Sequence, residues 1–296
     1  MIQLLHDQLL CITEQGEFDL KDHPTTLPKD YKKKDLKKHL EQDKARIDDL
    51  QRRLYAANSH SLLLIFQAMD AAGKDSCIRH VMSGVNPQGC QVWSFKAPNA
   101  EELDHDFLWR HAKAVPERGR IGIHNRSHYE EVLIVKVHPE YILGQRLPGI
   151  RSVKDIDETF WQDRYASIRA FEAHLARQGT VIMKFYLNMS LEQQKKRFLE
   201  RIEQRDKHWK FSMADVEERH HWKDYMAAYA QAIGATAAPH APWYIVPADD
   251  QWETRAIVGH LVRERLDELA LELPKLSKKD HDMLVEAKRL LNAEKS

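Results

Sequence analysis

The chain lacks any excess of charge. Its 45 Lys and Arg residues are matched by 45 Asp and Glu, so the net charge is zero with His neutral. No global field recruits nucleic acid or an anionic membrane, and an anion site has to be built locally. Cysteine is scarce: Cys11, Cys77 and Cys90 are scattered without metal-ligand spacing, which points to a reducing compartment and structural roles. No apolar run approaches the roughly 20 residues that span a bilayer. The N-terminus lacks a basic-then-apolar leader and is interrupted by Asp7 and Glu14. A cytoplasmic protein with neither nucleic acid nor membrane as partner is the expectation. Internal repeats and low-complexity segments are also absent. What 296 residues at 43% hydrophobic and 30% charged content do support is a large globular core, in one elaborate domain or two small ones.

Buried strands alternate with helices along most of the chain. Residues 1 to about 30, with Pro24 and Pro28, read as an extended arm. From Tyr31 to Ala57, Leu36, Leu40, Ile47, Leu50 and Leu54 recur at helical spacing behind Lys32, Lys33, Lys34, Lys37 and Lys38. That basic run reads equally well as a solvated face. Strands are predicted at Leu62–Phe66, Gln91–Phe95, Arg120–His124, Val181–Leu187 and Trp243–Val246. Helices are predicted at Glu101–Val115, Asp163–Arg177, Leu191–Arg205, Asp215–Ile233 and Gln251–Leu273. This order argues for an α/β fold, a central parallel sheet with helices on both faces, whose ligands bind at the carboxyl ends of strands. Pro274 then leads into a charged tail with a weak stripe of Leu276, Met283, Leu284, Leu290 and Leu291. The expected divisions are an arm over 1–30, a main domain over 31–273 and a helical tail over 274–296.

Three constellations carry chemistry. The first is Ala68-Met69-Asp70-Ala71-Ala72-Gly73-Lys74-Asp75-Ser76, directly after the buried Leu62–Phe66 strand. A strand, a small-residue turn with Gly-Lys and then a helix is the layout of a P-loop, whose backbone N–H groups and helix dipole hold phosphate. Ala68 stands where the first Gly belongs, and Asp75 stands where a Ser or Thr normally holds magnesium. An ordinary strand-to-helix turn with an exposed Lys is the competing reading. Asp70 weighs against it, because a carboxylate in such a turn repels phosphate unless a cation lies between. Asp75 is then either a second ligand or a favourable acid in the first helical turn.

The second constellation is His124-Asn125-Arg126-Ser127-His128-Tyr129-Glu130-Glu131, at a strand end. Arg126 can stabilise charge on a transferring phosphoryl group, Asn125 can orient an oxygen, and Glu130 or Glu131 can complete a metal shell. A helix start capped by Ser127 is the plain alternative. A His-x₃-His pair without a third ligand does not make a zinc site. The third is Arg197, Arg201 and Arg205, one helix face spaced by four, with Lys207, His208 and Lys210 beyond. Such a row suits a polyanion or a mobile lid, and equally a solvated helix balanced by Glu200, Glu203 and Asp206.

Taken together, these segments closely resemble the polyphosphate kinase 2 family. The matching stretches are Gln67–Ser76, Ser83–Gly89, Ser94–Pro98, Leu103–Trp109, Asn125–Glu130, Trp209–Ser212 and Ala241–Tyr244, within about Tyr31 to Leu273. The resemblance implies a three-layer α/β/α P-loop kinase-like fold similar to thymidylate kinase, with a helical lid over about 200–225. It implies transfer of a terminal phosphoryl group between inorganic polyphosphate and a nucleotide, with Mg²⁺ (Mn²⁺ as a substitute). Carried over by position, Asp70 and Glu131 hold the metal, and Asp70, Lys74, Asn125, Arg126 and Glu131 form the catalytic set. Ala71, Ala72, Gly73, Lys74, Asp75, Arg79, Lys136 and Arg205 line the phosphate and polyphosphate path. Asn86, Gly89, Lys96 and Asp106 fall on the nucleotide side. Many members have Gly at Ala68, Phe at His124 and Asp at Asn125, which shifts more of the metal role to Glu131. The Asn-Arg-Ser-His-Tyr-Glu form resembles the branch that accepts both AMP and ADP, with guanine nucleotides as further candidates, and relatives are often homodimers or homotetramers.

The residues agree with that picture. A nucleotide phosphate oxygen is already anionic, so no general base is required, and the chain offers no obvious Ser–His or Cys–His nucleophile. Two other readings stay open: a nucleoside or nucleotide kinase with ATP as donor, and a non-catalytic polyanion-binding module with a relic loop.

Overall fold

The computed structural model describes residues 11–27 and 31–294, and only the backbone of Lys207 and Lys210. In chain order the elements are β1 (Cys11–Ile12), α1 (Lys33–Ala57), β2 (Ser61–Gln67), α2 (Lys74–Val81), β3 (Cys90–Ser94), α3 (Ala100–Leu103), α4 (Trp109–Ala112) and β4 (Ile121–Asn125). They continue with α5 (Ile134–Val137), α6 (Glu140–Leu143), α7 (Glu158–Arg177), β5 (Thr180–Asn188), α8 (Leu191–Glu203), α9 (Met213–Glu217), α10 (Trp222–Thr236), β6 (Trp243–Pro247), α11 (Gln251–Glu268) and α12 (Lys278–Ala293).

The sheet order is β1-β6-β5-β2-β4-β3, and every pairing but one is parallel. The central strand, β2, is buried along its whole length. Side chains alternate across a strand, so its apolar run divides between two cores. Leu62, Leu64 and Phe66 face α1, α2 and α11, while Leu63 and Ile65 face α5, α7 and α10. The three layers expected from the alternating pattern follow from that division.

Several boundaries differ from the sequence expectation, each for a local reason. The arm is not merely extended: β1 adds an antiparallel edge, with Cys11 opposite Tyr244 and Ile12 opposite Trp243. Gly16 N donates to Gly234 O at 3.0 Å, and a Cβ on Gly234 would sit 2.3 Å from that Gly16 oxygen, so a side chain there would drive the arm off. Farther along, Asn188 Nδ2 donates to His23 O at 3.0 Å and Leu27 N to Glu253 Oε2 at 2.9 Å. The helix expected over Glu101–Val115 is two single turns, because the Asp106 carboxylate takes Leu108 N at 2.9 Å and turns the chain instead. The helix expected over Asp215–Ile233 is α9 and α10 with a tighter turn at Glu218–His221 between them. The helix expected to run to Leu273 stops at Glu268, before Ala270 at φ 45°.

One buried polar cluster supports the second face. On β5, Lys184 takes the inward position between Ile182 and Tyr186. Its ammonium donates to Glu172 Oε2 at 2.7 Å, Tyr129 Oη at 2.9 Å and Thr236 O at 2.9 Å. Burial pulls the pKa of Lys184 down and Glu172 opposes that shift. Lys184→Met alone strands the Glu172 charge, and urea unfolding should read a loss of about 3–5 kcal/mol. Lys184→Met combined with Glu172→Leu should recover most of it; an equal loss in single and double variants would contradict the pairing.

Three histidines pack beside this cluster. The His111 and His128 ring centroids are 5.8 Å apart, and Phe95 lies 4.2 Å from His111 and 5.1 Å from His124. Burial pushes His111 far below the ordinary imidazole range, with His128, Arg110 and His124 adding to it. Burial also takes His124 down to about 4, against its hydrogen bond to Ala114 O. Both folded values lie below the unfolded value of about 6.5, so the unfolded chain binds the extra protons. This contribution to stability is complete above that pH and is lost as pH falls below it. Going from pH 7.5 to pH 5 should lower the unfolding free energy by about 2–4 kcal/mol. A urea midpoint unchanged between those pH values would refute this.

Candidate active site

The parallel strands bring the loop and the second motif together. Phe66 on β2 is in register with Asn125 on β4. The loop leaves β2 just beyond Gln67, and Arg126 leaves β4 at the same level, its N–H donating to Phe66 O at 3.0 Å.

The loop conformation is unusual for its residues. Ala71 has φ 64° and Gly73 φ 97°, so a non-glycine residue sits in the left-handed region, at a cost of about 1–3 kcal/mol. Gly73 leads straight into α2, whose first N–H groups are open to an anion. Lys74 is folded back into the loop, donating to Ala68 O at 2.7 Å. Burial lowers its pKa, Arg126 lowers it further, and Asp70, Glu130 and Asp75 work against that.

Arg197 of α8 holds this shape from below. Its Nη1 donates to Ala71 O at 3.0 Å and Ala72 O at 2.7 Å, and its Nη2 donates to Ala248 O at 2.7 Å and Asp249 O at 3.1 Å. Gln194, one turn earlier, donates to Asp70 O at 3.0 Å and accepts from Arg219 at 2.7 Å. The expected row of Arg197, Arg201 and Arg205 is therefore split by role. Arg197 is a buried clamp, Arg201 pairs with Asp215 at 3.4 Å, and Arg205 is exposed in the turn Arg205–Lys210.

Above the loop, Arg126 Nη2 donates to Asp70 Oδ1 at 2.8 Å, and no protein hydrogen bond reaches Asp70 Oδ2 among the described residues. Arg126 has φ 63°, which directs its side chain back over the loop. Burial acts to lower its pKa, but Glu130 and Asp70 outweigh this and the net shift is upward. Asn125 Nδ2 donates to Asp75 Oδ1, so that acid is tied to the second motif.

Glu130, not Glu131, faces this group. Glu130 is coupled to Arg126, Lys74 and Asp70, and burial raises its pKa against the pull of the two cations. With its amide oriented to satisfy both ends, Gln67 donates to Glu130 Oε1 at 2.9 Å and accepts from Ser127 N at 3.1 Å. Glu131 points elsewhere. It accepts from Gln145 at 2.8 Å, and its oxygens lie 3.3 Å from Arg164 and 3.6 Å from Arg110. Two guanidinium groups and an amide already occupy its oxygens, which sets it apart from the Asp70–Arg126 pair. One signal for Gln67 was present in the sequence, a polar residue closing an apolar strand. Nothing in the spacing distinguished Arg197 from its solvated neighbours.

The remaining expected residues scatter. Asn86 and Gly89 precede β3 and so lie at the opposite end of the parallel sheet from the loop, about 16 Å of strand away. Asn86 Oδ1 caps Gln88 N at 3.0 Å, and a Cβ on Gly89 would fall 1.6 Å from the Gln51 amide nitrogen. These two build a turn against α1. Lys96 follows β3 at the loop end and is exposed, with its carbonyl accepting from Arg110 at 2.8 Å. Exposed Asp106 makes the chain turn described above. Lys136 lies over Trp161 at 4.9 Å and Tyr165 at 5.4 Å, so its described contacts are with α7 and not with the loop. A groove of about 830 Å³ between the arm and α10 carries Glu17, Asp19, Asp22 and Glu158 with no cation in its lining, which makes it unsuited to phosphate.

Among the described residues, no group of three His, Cys, Asp or Glu side chains converges as a protein-only metal cage. The open Asp70 oxygen instead fits a cation held by one or two carboxylates together with substrate phosphates. The family model for Polyphosphate kinase 2 matches residues 30–273. The chain belongs to the polyphosphate kinase 2 family. An ADP-polyphosphate phosphotransferase from Rhodopseudomonas palustris is 50% identical over 89% of this chain and 90% of that protein. An AMP/ADP-polyphosphate phosphotransferase from Meiothermus ruber is 42% identical over 81% of this chain and 85% of that one. A crystal structure of polyphosphate kinase 2 from Arthrobacter aurescens matches with TM-score 0.81 at 38% identity, covering 93% of this chain and 96% of that one. This membership makes the chain a kinase by family and its fold that of the P-loop kinases.

Asp70→Asn should lower kcat about 10²–10³-fold with little change in Tm, as loss of a group serving the transition state does. Glu131→Gln should do the reverse, lowering stability by about 3–5 kcal/mol because Arg110 and Arg164 lose a buried partner, while kcat stays close to the parent value. Steady-state kinetics and thermal unfolding on both variants check the division, and loss of turnover in a fully stable Glu131→Gln protein would overturn it.

Proposed function

We propose that the chain transfers phosphoryl groups between inorganic polyphosphate and the adenine nucleotides ADP and AMP, reversibly, with Mg²⁺ as metal and Mn²⁺ as a substitute. The observation that carries this reading is the Asp70–Arg126 pair directly over the phosphate-binding loop. It puts a metal-ready carboxylate and a charge-stabilising guanidinium at one point, and none of the described hydrogen bonds of that pair joins a Ser or Cys to a His. Asp70 would hold the Mg²⁺, which would supply neutralisation of phosphate charge.

The protein's own groups do the remaining work. The open N–H groups of α2 and the Lys74 ammonium hold the phosphates of one substrate, and Lys74 needs only to exchange the Ala68 carbonyl for a phosphate oxygen. Arg126 spans to the transferring group. The attacking oxygen is an anionic phosphate oxygen, so no proton has to be removed, and the reaction reduces to in-line positioning and charge neutralisation. The segment over about 200–225 acts as the lid. Asp215 of α9 supports this, since Asp70 and Arg126 both influence its carboxyl, whose pKa burial raises. Trp209, at 78% exposed, gives that segment an apolar tip.

Guanine nucleotides are further candidate acceptors, because no base-reading contact is fixed by the loop. A cytoplasmic location agrees with the three unpaired cysteines. A homodimer or homotetramer is favoured by the edge strand β3, which leaves Val92 57% and Trp93 45% exposed.

The test is an assay of purified protein with Mg²⁺, polyphosphate and ADP, and separately AMP. ATP from ADP and ADP from AMP are expected. Turnover only when ATP replaces polyphosphate as donor would instead make the chain a nucleotide kinase, and no turnover with any donor would leave a binding module.

A further inference from the structure

One charged surface lies beside the loop but outside the reacting centre. At its middle is Trp252, in the first turn of α11, packed on the α1–α2 side of the core. Three cations converge on its indole. Lys37 Nζ is 4.5 Å and Lys33 Nζ 5.9 Å from the ring centroid, and the Arg255 guanidinium is 4.5 Å away. His80 meets the same ring edge-on at 5.6 Å. Each cation gains from the ring, but together they repel one another.

Carboxylates offset this charge only in part, through the field of Asp250 on Arg255. Among the described residues, none forms an ion pair with Lys33, Lys37 or Arg255. Three nearby acids accept from backbone N–H groups, and Glu41 pairs with Lys44 at 2.9 Å. Asp250 accepts from Trp252 N at 2.7 Å, Asp249 from Ser190 N at 2.7 Å and Glu253 from Leu27 N at 2.9 Å. The surplus reaches His80, whose pKa is lowered by burial and then by Arg255, Arg79 and Lys44.

This surface is continuous with the loop. Arg255 Nη2 donates to Ser76 Oγ at 2.8 Å, and Ser76 stands in the first turn of α2, two residues past Lys74. Arg79 is exposed one turn further along α2. A row of incompletely neutralised cations leading away from a phosphate-binding helix start fits a ligand with evenly repeated negative charge. Nucleic acid would also bring stacking bases, but the Trp252 ring is half-buried and already covered by cations, which leaves recognition to phosphate alone.

We propose that the surface formed by Lys33, Lys37, Arg79 and Arg255 around Trp252 is a distal binding site for inorganic polyphosphate, holding the length of a long chain that extends past the loop. The proposal rests on the phosphotransferase reading above and adds a preference for donor length. Short donors end at the loop and gain nothing from it; long donors are held at both places, and the second contact acts through effective concentration.

The experiment compares the parent with Lys33→Ala/Lys37→Ala, using tripolyphosphate and a long-chain polyphosphate as alternative donors. For the long chain, KM should rise about tenfold, and the slope of log KM against log salt should fall by about two, one for each lost phosphate contact. The kcat and the KM for tripolyphosphate should not move. A KM that shifts equally for both donors, or for neither, overturns the proposal. Anisotropy titration of end-labelled long polyphosphate makes the same comparison without turnover. A parent that binds the long chain through these lysines but transfers nothing would keep the site and overturn the transferase reading. Single-stranded DNA bound equally well, with the same loss in the variant, would overturn polyphosphate as the ligand.

Discussion

The site depends on a single buried guanidinium. Arg197 meets no carboxylate in its described hydrogen bonds; its two Nη groups donate to four backbone carbonyls from two different loops, while its buried Nε has no partner. Burial works to pull its pKa down, and Asp249, Glu200 and Asp250 supply the opposing field. Of the peptide units whose carbonyls Arg197 holds, that of the Ala71 carbonyl also donates its N–H (on Ala72) to Met69 O at 3.2 Å, and that of the Ala248 carbonyl donates its N–H (on Asp249) to Thr25 O at 2.9 Å. The strain at Ala71 persists because this cation fixes the peptides on either side of it. The same contact ties the loop after β2 to the end of β6, two strands away, so the phosphate cradle inherits the rigidity of the sheet.

A second buried cation plays the matching part on the opposite face. Lys184 joins β5 to α7, α10 and the segment that follows Arg126, through Glu172, Thr236 and Tyr129. Tyr129 also donates to Glu172 at 2.8 Å, and Trp243 donates to Thr236 at 3.0 Å. Hydrogen-bonded networks in low dielectric fix one arrangement strongly because each partial alternative leaves a polar group unpaired. The Asp70–Arg126 pair therefore sits between two anchors, one beneath the loop and one beneath the second motif.

Much of this was legible in the residues. The apolar run Leu62–Phe66, the Gly-Lys turn and the polar cluster after Ile123 located the two halves of the site, because strand period and phosphate chemistry both leave local marks. The family resemblance named the activity class that the family match then supported. The failures have a common cause. Glu130 and Glu131 are adjacent, and a 3₁₀ turn at His128–Val132 sends them in different directions, which no spacing rule anticipates. Arg197 looked like one of three solvated arginines because its partners are backbone carbonyls more than 50 residues away. Asn86 and Gly89 were placed near the nucleotide although they precede β3, and only the parallel strand direction reveals that they lie at the far end of the sheet. Two residues of β1 were too few to show a period at all.

That short strand has a consequence for assembly. A sheet that is open along both sides can add copies head to tail without limit. Here one border ends in two residues and an arm tied down along its length, while β3 on the other border has five residues with unpaired backbone groups. Growth through strand pairing would consume the β3 border of each copy and find nothing of similar length on the far side. Among the described residues, the arm thus leaves the two borders of the sheet unequal, with β3 the longer.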